Sequence, residues 1–120
     1  MKMSLTILFF LLVSTTLLSA PTVVKELEDA YAESENTKQK IVAVFGADWC
    51  GACKKLHKDL MDNPKVIDNC IYVYIDIRKD LKKNYAVGKV PDIMVLDKNV
   101  EVKRRVGYKN LEEFKKWLSD

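Results

Sequence analysis

A chain of 120 residues accommodates one domain, and 48% apolar with 31% charged residues excludes a disordered, collagen-like or low-complexity polymer. The net charge is only +3, and cations alternate with acids, as at Glu112, Glu113, Lys115 and Lys116. This reads as a solvated mixed surface, so no nucleic-acid partner is expected, because backbone binding needs clustered positive charge. Three cysteines are too few for a disulfide scaffold, so the domain must stand on its apolar core.

The first twenty residues differ from the rest. Lys2 precedes an apolar stretch from Leu5 to Leu18, and small Ser19 and Ala20 follow. This is the layout of a secretory signal peptide, giving residues 1–20 as leader and residues 21–120 as the mature domain. The stretch is shorter than the roughly 20 residues of a spanning helix; an uncleaved membrane anchor is the alternative. Export, to the periplasm or another extracytoplasmic space, implies an oxidising compartment in which disulfides persist.

Val24, Leu27, Ala30 and Tyr31 recur at helical spacing and predict an amphipathic helix over Thr22–Ser34, with a polar loop over Glu35–Gln39. Ile41–Phe45 is a continuous apolar, β-branched run, the pattern of a strand buried on both faces. A second helix is expected from Gly51 to Met61, with Leu56, Leu60 and Met61 on its apolar side, until Asn63-Pro64 interrupts it. Cys70–Ile77 is the next strand, and Asp80–Tyr85 a short helical segment. Asp92–Leu96 and the alternating Val100–Val106 form a hairpin through Asp97-Lys98-Asn99. Asn110 with Glu113 resembles a capping box, and Leu111, Phe114, Trp117 and Leu118 supply the buried face of a last helix. Strands alternating with helices imply an α/β fold: a four-stranded mixed sheet, parallel except for its closing hairpin, with helices on both faces.

The chemistry-bearing string is Phe45-Gly46-Ala47-Asp48-Trp49-Cys50-Gly51-Ala52-Cys53-Lys54, where the first strand ends and a helix begins. A helix N-terminus presents unpaired amides and the positive end of the dipole. A thiolate there is stabilised, and the thiolate is the attacking species in disulfide exchange. Cys50 is expected at the rim, with Cys53 one turn inward. The pair is also compatible with copper(I) capture, a zinc site or a plain structural bridge. Zinc would require Cys70 and His57, which lie on other predicted elements.

Ala47-Asp48-Trp49-Cys50-Gly51-Ala52-Cys53-Lys54-Lys55-Leu56 resembles the active site of the thioredoxin superfamily. It is most similar to the exported branch that includes the C-terminal domain of the bacterial transmembrane reductase DsbD. Lys89-Val90-Pro91-Asp92, Tyr74-Ile75-Asp76 and Val106-Gly107-Tyr108 extend the likeness over Val24–Leu118. The resemblance implies a thioredoxin-like fold and a thiol-disulfide oxidoreductase. It makes Cys50 the nucleophile and Cys53 the resolving thiol. Trp49, Val90 and a cis Pro91 become the substrate-binding rim. No cofactor and no metal are implied.

The sequence departs from that family at four places. Val44 stands where a buried acid is usual, and Tyr72 where its lysine partner is usual. Gly-Ala replaces Gly-Pro between the cysteines, and Asp92 follows the loop proline in place of threonine. Asp92 is therefore expected to oppose the Cys50 thiolate. His57, one turn after Cys53, is read first as a solvent-facing residue and second as a proton relay for the missing acid. Cys70 is read as a small buried or half-buried residue rather than a regulatory or intermolecular thiol. The expected protein is a monomeric reductant of exported protein disulfides, recharged by an upstream donor such as a membrane thiol reductase. A metal-binding thiol carrier and a non-catalytic module of the same fold remain as alternatives.

Overall fold

The computed structural model describes residues 20–78 and 88–120. Most of the expected leader and the expected helical segment over Asp80–Tyr85 lie outside the described residues. The elements are β1 (Thr22–Val24), α1 (Leu27–Thr37), β2 (Lys40–Gly46), α2 (Gly51–Asp62), a 3-10 turn (Pro64–Ile67), β3 (Cys70–Asp76), β4 (Asp92–Asp97), β5 (Val100–Val106) and α3 (Leu111–Ser119). The sheet has five strands in the order β1-β3-β2-β4-β5. β1, β3 and β2 run parallel, and β4 and β5 close the sheet antiparallel.

The expected mixed α/β architecture is present, with one strand more than its residue pattern predicted. The helix expected from Thr22 begins only at Leu27. Thr22, Val23 and Val24 instead pair with Ile71, Tyr72 and Val73. Three β-branched residues beside the open edge of β3 gain ladder hydrogen bonds that an isolated helical turn would not supply. At its other end α1 runs on to Thr37, past the expected loop start. It closes on Lys38, which is left-handed (φ 64°) and donates its N–H to the Ser34 carbonyl.

β2 is the centre of the molecule, and Ile41 to Phe45 are all buried. Period-two alternation divides them between two layers. Ile41, Ala43 and Phe45 pack with Leu27 and Ala30 of α1 and with Met94 and Leu96. Val42 and Val44 pack with Leu56 and Leu60 of α2, Ile93, Tyr72 and Phe114 of α3. Pro64 opens the 3-10 turn, where its missing amide leaves no partner unmet, and the turn buries Ile67.

The hairpin turn places Lys98 and Asn99 at φ 53° and 64°, the left-handed pair that suits the twist of antiparallel strands. A register shift opposite Val95 and Leu96 leaves Val102 without a partner across the ladder. The capping box of α3 is half formed. The Asn110 side chain accepts the Glu113 N–H at 2.9 Å, but the Glu113 carboxylate turns away to bind Arg105 at 2.6 Å.

Candidate active site

β2 ends at Gly46, and the chain turns through Ala47, with the Cys50 N–H donating to the Ala47 carbonyl at 3.1 Å. Cys50 is the N-cap of α2, in extended backbone conformation, and its Sγ accepts the Cys53 N–H at 3.1 Å. The first turn of α2 carries no acidic residue, so nothing on the helix itself offsets the positive dipole end beside Cys50. Cys50 and Cys53 are joined in a disulfide, with Cα atoms 5.3 Å apart. Cys50 is 7% exposed and Cys53 fully buried, the rim-and-interior arrangement expected from their spacing.

Around the pair stand Ala47, Ala52, Tyr74, Ile77 and Val90. Trp49 is 71% exposed, an uncovered aromatic beside the bridge. The Val90–Pro91 bond is cis, as the resemblance implied, and Pro91 is buried. Its carbonyl accepts the Gly107 N–H at 2.8 Å, tying this loop to the end of β5. Gly107 sits at φ +98°, a conformation that glycine adopts without strain. Trp49, next to Cys50 in the chain, and Val90, packed against the cysteine cluster, thus come to the pair from two segments far apart in the chain.

His57 corrects the first reading made of it. It is half-buried, not solvent-facing, and its Nδ1 lies 2.8 Å from the Tyr72 hydroxyl. Its ring stacks on Tyr72 and tilts against Tyr74, with centroids 5.7 and 4.7 Å apart. Burial lowers its pKa from 6.5, so the ring is neutral at pH 7. Burial raises the hydroxyls of both Tyr72 and Tyr74, so both stay protonated. The tyrosine in the usual lysine position therefore partners a histidine, and Val44 contributes only apolar surface in the same layer.

Asp92 is 2% exposed, and both its oxygens are engaged. Arg104 Nε donates to Oδ1 at 3.0 Å and Nη2 to Oδ2 at 2.7 Å. Asp92 is thus half of a bidentate ion pair, where the sequence suggested a free charge opposing Cys50. Cys70 is half-buried with a free thiol, and burial raises its pKa. It begins β3, six residues before Asp76, the partner of Gly46, so it lies about 20 Å along the strand from the site. A zinc site joining Cys70 to the pair is therefore ruled out.

Three residues that shape the site carried no assignment from the sequence. Tyr74 lies directly over Gly46, where any side chain would collide with its ring and hydroxyl. A glycine ending a buried strand is the signal for such a close approach. Arg104, the third, is one of three consecutive cations with nothing local to distinguish it.

A family profile described as a thioredoxin-like domain matches residues 27–120. The chain belongs to the thioredoxin-like family. Relatives include thioredoxin H-type 1 of Nicotiana tabacum, 29% identical over 91 residues that cover 74% of this chain and 72% of that one. The thioredoxin of Echinococcus granulosus is 30% identical, covering 75% of this chain and 87% of its own. A wild-type poplar thioredoxin h superposes with a TM-score of 0.68 at 19% identity, over 83% of this chain and 95% of that one, which shows the shared fold. With its bridged Cys50–Cys53 pair at the start of α2, this thioredoxin-like protein is a thiol-disulfide oxidoreductase.

Proposed function

We propose that the protein is an exported reductant of protein disulfides. The observation that carries this reading is the bridge itself: Cys50 Sγ at the helix start, accepting an amide N–H, with the uncovered Trp49 beside it. In the reduced protein the Cys50 thiolate attacks one sulfur of a substrate disulfide. That bond breaks, a mixed disulfide forms, and the other substrate sulfur leaves as a thiol. Cys53 then attacks Cys50 Sγ, releases the second substrate thiol and leaves the bridged state seen here. Two electrons pass from the cysteine pair to the substrate.

Substrates bind as extended segments against Trp49, Val90 and Pro91. The thioredoxin relatives support the reducing direction, and the apolar leader pattern of the first twenty residues supports export. A reductant in an oxidising space needs recharging, so the proposal includes an upstream dithiol donor, such as a membrane thiol reductase, of the kind the DsbD-like motif suggests. Equilibration of the pair with glutathione or dithiothreitol tests the direction. A potential near −270 mV, that of thioredoxin, is the expected result, and one near −120 mV, that of DsbA, overturns it.

A further inference from the structure

In the second half of the exchange Cys53 must lose its proton, yet it is fully buried. Burial in apolar surroundings disfavours a thiolate. A nearby base is therefore needed. Ala47, Ala52, Ile77 and Val90 around the pair carry neither acid nor base. Asp48 is exposed and ion-paired with Arg78, which also reaches Asp76, and Asp92 holds Arg104 with both oxygens. Lys54 and Lys58 on α2 are exposed, and Asp59 accepts the Tyr108 hydroxyl. Tyr72 and Tyr74 on β3 stay protonated.

His57 remains. It follows Cys53 by one helical turn, where side chains stand about 5–6 Å apart at Cβ. Side chains on a helix lean toward its N-terminus, so the imidazole leans over the turn that carries Cys53. Tyr72 holds Nδ1 at 2.8 Å, and Tyr74 touches both the imidazole and the cysteine cluster.

We propose that His57 accepts the proton of Cys53 as the mixed disulfide resolves, with Tyr72 as the positioning residue that fixes its ring. This rests on the redox reading of the pair. The Cys53 Sγ–H proton passes to His57 Nε2, directly or through one water. The thiolate attacks Cys50 Sγ, the Cys50–substrate S–S bond breaks, and the Cys50–Cys53 bond forms. The substrate sulfur leaves with the electron pair and takes up a proton, and the imidazolium returns its own to solvent. While charged, the ring donates Nδ1–H to the Tyr72 oxygen. A neutral ring at pH 7 is ready to accept.

The test is single-turnover reaction of the reduced protein, in a Cys70→Ser background, with 5,5′-dithiobis(2-nitrobenzoate). The first nitrothiolate released reports attack by Cys50, and the second reports resolution by Cys53. The second phase is expected to show an inflection below pH 6.5. His57→Gln should abolish that inflection and slow the phase at least about a hundredfold, the lower end of what a positioned base contributes. Tyr72→Phe keeps the ring volume and should shift the inflection. The first phase should be the same in all three proteins. A second phase with unchanged rate and pH profile in His57→Gln overturns the proposal. If that variant does not fold, an unmoved inflection in Tyr72→Phe does so. If the reduced background protein releases only one nitrothiolate, the redox reading itself falls and takes this one with it.

Discussion

Arg104→Met removes the cation that both oxygens of Asp92 hold, and leaves a 2% exposed carboxylate without its partner. Asp92 directly follows the cis Val90–Pro91 bond and sits between Phe45 and Val106 in the sheet, so the pair anchors the loop that flanks the cysteines. Breaking a buried ion pair from one side costs about 3–5 kcal/mol. Arg104 is itself 29% exposed, which places the cost at the lower end, about 3 kcal/mol. With a urea slope of about 2 kcal/mol per molar, the unfolding midpoint should fall by about 1.5 M. Melting should drop by roughly 12–24 °C. Asp92→Leu with Arg104→Met should recover most of the loss, because an apolar pair leaves no unpaired charge. Titration of the reduced protein reads the same pair at the site. The Cys50 pKa should rise in Arg104→Met, where the carboxylate is uncompensated, and fall in Asp92→Asn, where the guanidinium is. A midpoint for Arg104→Met within about 0.3 M of wild type would refute the anchoring argument. Equal Cys50 pKa values in wild type and both single variants would refute the electrostatic one.

Gly46→Ala places a methyl within the ring of Tyr74, 2.6 Å from Cζ, and should cost about 1–3 kcal/mol in a denaturation curve. The same substitution in a Tyr74→Leu background should cost far less, and equal costs in the two backgrounds would show that the tyrosine is not the obstacle. Asn110→Ala removes the side chain that accepts the Glu113 N–H; α3 should lose about 1 kcal/mol, read as a fall of about 4–8 °C in melting temperature. Trp49→Ala should raise KM for a protein disulfide by about tenfold, the effect of losing one interfacial aromatic anchor. It should leave stability and the reaction with a small aromatic disulfide near wild type, since the indole is 71% exposed.

Much of the fold and the central chemistry was legible in the chain itself. Helix and strand periods are local, so Ile41–Phe45, the helix after Cys50, the closing hairpin and the Asn110 cap could be read from neighbouring residues. The cysteine pair was legible for the same reason, because its spacing and its strand-to-helix junction are contained in ten residues. The short β1 was not, since three β-branched residues become a strand only when the edge of β3 lies beside them. His57 was misread as solvent-facing because the face it presents depends on Tyr72 and Tyr74, which β3 brings in from fifteen and seventeen residues away.

The sequence by itself determined the central strands, the helix after Cys50, the closing hairpin and where a nucleophilic thiol stands. Tertiary structure alone decided which side chains meet. The Arg104–Asp92 pair shows why. One unpaired residue, Val102, shifts the β4–β5 register, so that Asp92 faces Val106 and shares its side of the sheet with Arg104. Arg105 then lies on the opposite side, where it binds Glu113 of α3. Without that bulge the two arginines would exchange faces, because a one-residue slip in a strand turns every side chain over. Neighbouring arginines look alike in a linear sequence, and only the register of the folded sheet assigns one to the active-site loop and the other to the last helix.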